Sequence, residues 1–492
     1  MYLYLNIYFA LRTSINIGRI GGRRPSDTCR ILGNPGETEM NYVSTRDLKK
    51  RGVSASEAIA TGLAPDGGLY VPCEFPKMPD FLGKSYRSIA GDILKLYLTD
   101  FAADQIEEYV QLAYGRDMPV KINGRYLELF HGRTSAFKDV ALQLYPYLLK
   151  TSLEKNNIKK TAVVLVATSG DTGSAVMAGM ANVPNTRAIV FYPDDGVSEV
   201  QKLQMTTQEG DNISVFGITG NFDDAQSAVK EIFEDSAFGA EFSEKYIFTS
   251  ANSINLGRLL PQIAYYFYAY SESGCRGEIN FVVPTGNFGN ILAGFYAKKM
   301  GLPINKLICA TNSNKVLYDF ITTGTYNKNR ELNLTISPSM DILVSSNLER
   351  LLYDIGGCEK VISAYDSLKR NGEFVDKMSM PMFESEHVSE AETIESIKQV
   401  YNSNKIVIDP HTAVAQNAHD KYIKRTGDKT PAMILATASP FKFPATIESA
   451  LGKTLGELLG TPPANIAKLS AKPVLHNEVV SDIKKAVRDV LN

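Results

Sequence analysis

Residues 161–180 read TAVVLVATSGDTGSAVMAGM: an apolar, β-branched run from Thr161 to Val166, a glycine-bearing turn at Ser169-Gly170-Asp171-Thr172-Gly173, then small helix-forming residues from Thr172 to Met180. A strand feeding a helix through such a turn is the unit of a parallel sheet, because parallel strands need a crossover connection. The rhythm continues outward. Arg187 to Tyr192 reads as a strand, Gly196 to Gln208 as a helix, Ile213 to Ile218 as a strand and Asp223 to Phe233 as a helix with acids in its first turn. It returns with Glu278 to Val283, Ile291 to Lys299, Leu307 to Thr311, Ile406 to Ile408, Thr412 to His419 and Met433 to Ala438. Two such blocks, Thr161 to Thr249 and Glu278 to Ala438, predict α/β layers around two largely parallel sheets, with a crevice between them for a ligand.

A second glycine-rich turn, Gly286-Asn287-Phe288-Gly289-Asn290, also follows an apolar run and opens a helical segment. Helix N-termini of this kind bind anions through unpaired backbone N–H groups, and glycines allow close approach. Taken alone, GNFGN reads equally well as a tight turn with asparagine at positive φ. It has neither the GxGxxG of a dinucleotide site nor the GxxxxGK[ST] of a nucleotide-phosphate loop. Upstream, FHGRTSAFKDVA at residues 130–141 centres on Lys138, with Thr134 or Ser135 as the expected N-cap of a helix. A lysine there can simply snorkel at a helix end. Burial, however, disfavours the ammonium ion and makes the amine a nucleophile toward aldehydes. A reactive lysine and two anion cradles are the parts needed to hold pyridoxal phosphate.

The 492 residues exceed one compact core and predict two or three domains. Lysine plus arginine number 52 and aspartate plus glutamate 54, so no charge excess points to nucleic acid or a membrane surface. The five cysteines lack a CxxC pair, which favours a reducing compartment, the cytoplasm, over a disulfide or zinc framework. The histidines show no close ligand spacing; His411 and His419 read as structural, and no metal is expected. No apolar run reaches the roughly 18–20 residues of a spanning helix.

Six collinear stretches resemble the threonine synthase family: the Lys138 stretch, ATSGDTGSA (167–175), PTGNFGN (284–290), SPSMDILVSSNLERL (337–351), DPHTA (409–413) and ATASPFKFP (436–444). The resemblance runs from about Met40 to near the C-terminus. It implies two αβα-layered domains of pyridoxal-phosphate fold type II, the tryptophan synthase β-like arrangement, with an N-terminal helical module. Implied bounds are 40–120 for that module, 121–445 for the catalytic body with a smaller αβ subdomain at about 150–250, and 446–492 for a C-terminal helical extension. The implied activity converts O-phospho-L-homoserine and water to L-threonine and phosphate, the last step of threonine biosynthesis. The nearest rival is another lyase of the same fold type, such as a serine or threonine dehydratase. A non-catalytic phospho-ligand binder ranks below both. A monomer is expected, with a dimer as the alternative.

The resemblance also assigns roles. Lys138 is the covalent anchor and proton shuttle, the backbone of Gly286, Asn287, Phe288, Gly289 and Asn290 holds the cofactor phosphate, and the asparagines add side-chain donors. Asp171 stands where many relatives of the fold place asparagine beside the ring hydroxyl, with its exact partner open and stabilisation of a helix N-terminus as the alternative, and Thr437 meets the pyridine nitrogen. Ser169 and Thr172 receive the substrate carboxylate, while Ser253, Asn255 and Arg258 receive its phosphate; an arginine before Leu259-Leu260-Pro261 reads alternatively as a helix cap. Arg133 stands where the family most often has proline, which leaves its role open. Residues 1–39, apolar and then arginine-rich without an acid before Asp27, read as a leader, a disordered tail or sequence upstream of a start at Met40, and secondarily as an organelle transit peptide.

Overall fold

The structure is a computed structural model that describes residues 39–220, 222–377 and 380–492; the leader read at residues 1–39 lies, but for Glu39, outside the described residues. Its larger sheet has six strands in the order Phe383–His387, Ile304–Thr311, Ile279–Pro284, Ala432–Ala436, Tyr126–Glu128 and Lys121–Asn123. The first five run parallel and the last is antiparallel. The smaller sheet, ordered Val479–Val480, Ile213–Ile218, Thr186–Pro193, Thr161–Ala167 and Tyr246–Ser250, is parallel throughout. Its strand Thr161–Ala167, flanked by a strand on either side, is buried from Ala162 to Ala167 because helices cover both faces, which is why that run is apolar without alternation.

Ahead of the sheets, the helices Ala55–Thr61, Tyr86–Tyr97 and Ala103–Tyr114 accompany an antiparallel ribbon of Tyr42–Ser44 with Tyr70–Pro72. Ser54 and Ser85 cap the first two, each hydroxyl accepting a backbone N–H three residues on. Tyr97 accepts the Tyr42 hydroxyl on its carbonyl at 2.6 Å, tying ribbon to helix.

Three expectations need correction. Residues Ile406 to Ile408 form no strand; Asp409 accepts the N–H groups of His411 and Thr412, and Pro410 occupies the first turn, so this short apolar run leads into the helix Pro410–Thr426. The sheet edge is instead Phe383–His387. The helix expected over Gly196 to Gln208 covers only Glu199–Thr206, since Ser198 and Gln201 form a capping box that sets its start. The C-terminal segment is more than a helical extension: Val479–Val480 extends the smaller sheet, and Ile483–Leu491 packs on its face. A two-residue strand carries too little pattern to be read from sequence.

Cys275, Cys309 and Cys358 are free thiols. Among the described residues no helix is long and apolar enough to cross a membrane, and no group of His, Cys, Asp and Glu could hold a metal ion.

Val487, fully buried, ties the C-terminus to the smaller sheet. Val487→Asp would bury an unpaired carboxylate and should cost about 3 kcal/mol or more in denaturant unfolding. An unchanged midpoint would show that the C-terminal helix is not part of the folded core.

Candidate active site

Lys138 stands at the start of the short helix Asp139–Leu142. Neither Thr134 nor Ser135 caps that helix, contrary to expectation. Instead the Asp139 carboxylate accepts the Thr134 N–H at 2.8 Å and the Thr134 hydroxyl at 2.7 Å, folding the lead-in back on itself. Ser135 takes a left-handed conformation (φ 59°) with Asn465 donating to its hydroxyl at 2.8 Å. Arg133, whose role was open, points to Asp117 at 3.2 Å near the surface.

The Lys138 amine donates to Asp171 Oδ2 at 3.3 Å and to Ser339 Oγ at 3.2 Å. Asp171 is buried at the start of the helix Asp171–Met180. Its other oxygen receives Lys442 Nζ and Gln201 Nε2, each at 2.8 Å. Lys442 is fully buried and also donates to the Thr134 carbonyl at 3.0 Å. Burial alone would push the Asp171 carboxyl up, but Lys442 and then Lys138 overcome it and hold the group well below the usual carboxylate range. Burial pushes the Lys138 amine below its ordinary value; Lys442 and Arg258 add to this, and Asp171 opposes it.

The second cradle forms at the end of the strand Ile279–Pro284, where Phe288 takes a left-handed conformation (φ 62°) ahead of the helix Gly289–Lys299. The strain of a non-glycine residue there is roughly 1–2 kcal/mol, and the full burial of the Phe288 ring against Phe383 opposes it. The first N–H groups of that helix have no partner within it. A Cβ at Gly286 would come within 2.7 Å of the Ser339 carbonyl, so this turn and the Pro338–Met340 turn pack too closely for any other residue. Asn347 braces the turn, donating to the Asn287 carbonyl at 3.0 Å and to Ser253 Oγ at 3.2 Å.

Arg258 is buried, donates to the Ala251 carbonyl, has an unpaired Nε and forms no ion pair among the described residues. Burial lowers its pKa to about 10. A buried guanidinium without a carboxylate is suited to an anionic ligand.

Family models match in three consecutive parts: "Threonine synthase N terminus" over residues 41–114, "Pyridoxal-phosphate dependent enzyme" over 127–437 and "Threonine synthase, C-terminal" over 412–490. The chain belongs to the threonine synthase family of pyridoxal-phosphate-dependent enzymes. It is 39% identical to the threonine synthase of Saccharomyces cerevisiae over 83% of this chain and 89% of that one. Identity to the Pseudomonas aeruginosa threonine synthase is 40%, over 84% and 90%. The human protein called threonine synthase-like 1 is 38% identical over 90% of this chain and 65% of its own length. Among solved structures, the yeast threonine synthase superposes with a TM-score of 0.84 at 35% identity, covering 92% of this chain and 98% of that one. The pyridoxal-phosphate-bound enzyme from Brucella melitensis gives 0.82 at 35% identity, covering 92% and 99%. The two-sheet architecture is therefore fold type II, with the N-terminal helical module in place.

The residues present fit the cofactor of this threonine synthase family. A buried amine with a lowered pKa lies beside a buried carboxylate, and a helix N-terminus opens from a turn that only glycine fits. Among the described residues the hydroxyls of Ser169, Thr172 and Thr437 have no protein hydrogen-bond partner, which leaves them available to a ligand. Two expected donors are not available. Asn255 is fully buried and gives its amide hydrogens to the Ile59 and Ser250 carbonyls and the Tyr145 hydroxyl, while its oxygen caps Gly257. It braces the Arg258 helix instead of meeting phosphate. The Asn290 side chain likewise turns back, donating to the Pro284 carbonyl at 2.8 Å and accepting the Ile291 N–H.

Lys442, Gln201 and Ser339 were not expected at the site. Lys442 had a visible signal: like Lys138 it is a lone cation beside phenylalanine, between Phe441 and Phe443. Lys442→Met should destabilise the protein by about 3–5 kcal/mol, because removing one partner strands a buried charge. The folded pKa of Asp171 lies below its unfolded value of about 4, so its stabilisation is complete above that value and disappears as pH falls through the folded one. Acid unfolding of Lys442→Met should therefore begin at higher pH than in the parent protein; superimposable curves would contradict the Lys442 assignment.

Proposed function

We propose that this chain converts O-phospho-L-homoserine and water into L-threonine and phosphate. The observation that carries this reading is Arg258, a buried guanidinium with an unpaired Nε and no ion-paired acid among the described residues. A dehydratase acting on serine or threonine would bring no second phosphate to meet it. Pyridoxal phosphate, held by Lys138 and the backbone of residues 286–290, supplies the electron sink that makes carbons next to the substrate amine acidic.

The protein's own share is binding, orientation and proton transfer. Ser169 and Thr172 receive the substrate carboxylate at the start of the helix Asp171–Met180. Arg258 and Ser253 receive its phosphate. Asp171 is the partner of the cofactor's ring hydroxyl, and its lowered pKa keeps it an acceptor. Thr437 offers a neutral hydroxyl to the ring nitrogen, which does not force a full positive charge there. Lys138, released when the substrate's amine takes its place, removes protons from Cα and then Cβ and returns them as phosphate leaves Cγ and water adds at Cβ. Its lowered pKa keeps more of the free amine available as a base near neutrality.

Purified protein should release threonine and phosphate in equal amounts from O-phospho-L-homoserine, and no ammonia from threonine; the reverse result would make it a dehydratase. Arg258→Ala should raise KM for the phosphorylated substrate about 10- to 100-fold, the value of a charge-assisted hydrogen bond. Cofactor affinity should stay unchanged in that variant. An unchanged KM would remove Arg258 from the phosphate site.

A further inference from the structure

Among the described residues two side chains hydrogen-bond to the Lys138 amine, Asp171 and Ser339, and they also bond to each other, Ser339 Oγ donating to Asp171 Oδ2 at 3.2 Å. Ser339 is held from several sides. Its N–H donates to His411 Nε2 at 3.2 Å, and His411 Nδ1 meets Asp409 Oδ1 at 2.8 Å. An Nε2 that accepts leaves the ring proton on Nδ1, directed at the carboxylate. Two residues on, Asp341 Oδ1 accepts from Asn312 at 2.7 Å, Asn314 at 2.9 Å and Thr335 at 2.7 Å, anchoring the far end of the turn. The Ser339 carbonyl rests against Gly286. Ser339 itself is only partly buried, so its hydroxyl remains within reach of a ligand.

We propose that Ser339 is a catalytic residue: with Asp171 it occupies two of the three N–H positions of the Lys138 amine and leaves the third for proton exchange with the substrate's carbons. This rests on the threonine synthase reading above. In the neutral amine two N–H bonds point at Ser339 Oγ and Asp171 Oδ2, and the lone pair takes the third direction. Breaking a substrate C–H bond puts its proton on that lone pair while the electron pair stays with the substrate. The resulting third N–H then points at the carbons to which a proton must return. His411 and Asp409 act through Ser339 and are positioning residues.

The test uses the holoenzymes of Ser339→Ala and Ser339→Thr. Loss of the substrate's Cα proton in D2O is followed by NMR, alongside kcat, KM and the cofactor retained on gel filtration, read from its visible absorbance. Ser339→Ala should retain cofactor and KM like the parent, while exchange and kcat fall together about 100-fold, within the range for a positioned acid–base group. Ser339→Thr, which keeps the hydroxyl, should recover at least a tenth of the parent rate. An exchange rate in Ser339→Ala within tenfold of the parent would overturn the proposal, as would cofactor loss in both variants, which marks a merely structural residue. A parent enzyme that exchanges no Cα proton would overturn the threonine synthase reading itself, separating the two failures.

Discussion

The site is governed by charge that has been taken out of water and only partly balanced. Lys138, Lys442 and Arg258 are all buried, and among the described residues the only carboxylate ion-paired with any of them is Asp171. Desolvating a cation is costly unless an anion compensates. Asp171 compensates for the two lysines, and Arg258 has no such partner among the described residues. The excess makes the cleft receptive to anions, while burial first, and repulsion from Lys442 and Arg258 after it, lowers the pKa of the Lys138 amine against the opposing pull of Asp171. One arrangement thus attracts phosphorylated ligands and prepares the base.

The rest of the fold holds that arrangement still. Arg350, fully buried, donates to the Tyr70 carbonyl at 2.9 Å, the Ile254 carbonyl at 2.6 Å and the side chain of Asn347. Through Asn347 it joins the N-terminal ribbon, the segment carrying Ser253 and Arg258, and the Gly286–Asn290 turn. Thr45 and Arg46 reinforce the junction through Glu349, the latter at 2.7 Å. The N-terminal module is therefore part of the cradle's support. At the other end, Asn465 reaches the Arg133 carbonyl at 2.9 Å, so the C-terminal segment steadies the Lys138 loop as well as extending the smaller sheet.

Much of this was legible in the sequence, and the physical reasons are specific. Lys138, Gly286 and Gly170 could be found because turn chemistry and helix starts are written in neighbouring residues. Strands such as Thr161–Ala167 announced themselves by burial on both faces. Ser339 could not be found this way: it meets Lys138 across 201 positions, and nothing local marks a serine as facing a lysine. Asn255 misled because an N-cap asparagine and a phosphate-binding asparagine look alike until its partners, Ile59 and Tyr145, are known. Ile406 to Ile408 misled because three apolar residues fit a strand or the approach to a capped helix equally well.

The most direct test of the account is the identity of the amine that carries the cofactor. Borohydride reduction of the protein loaded with pyridoxal phosphate, followed by peptide mapping, should place a single stoichiometric label on Lys138. A label on Lys442 or any other lysine, or none from fully loaded protein, would contradict it.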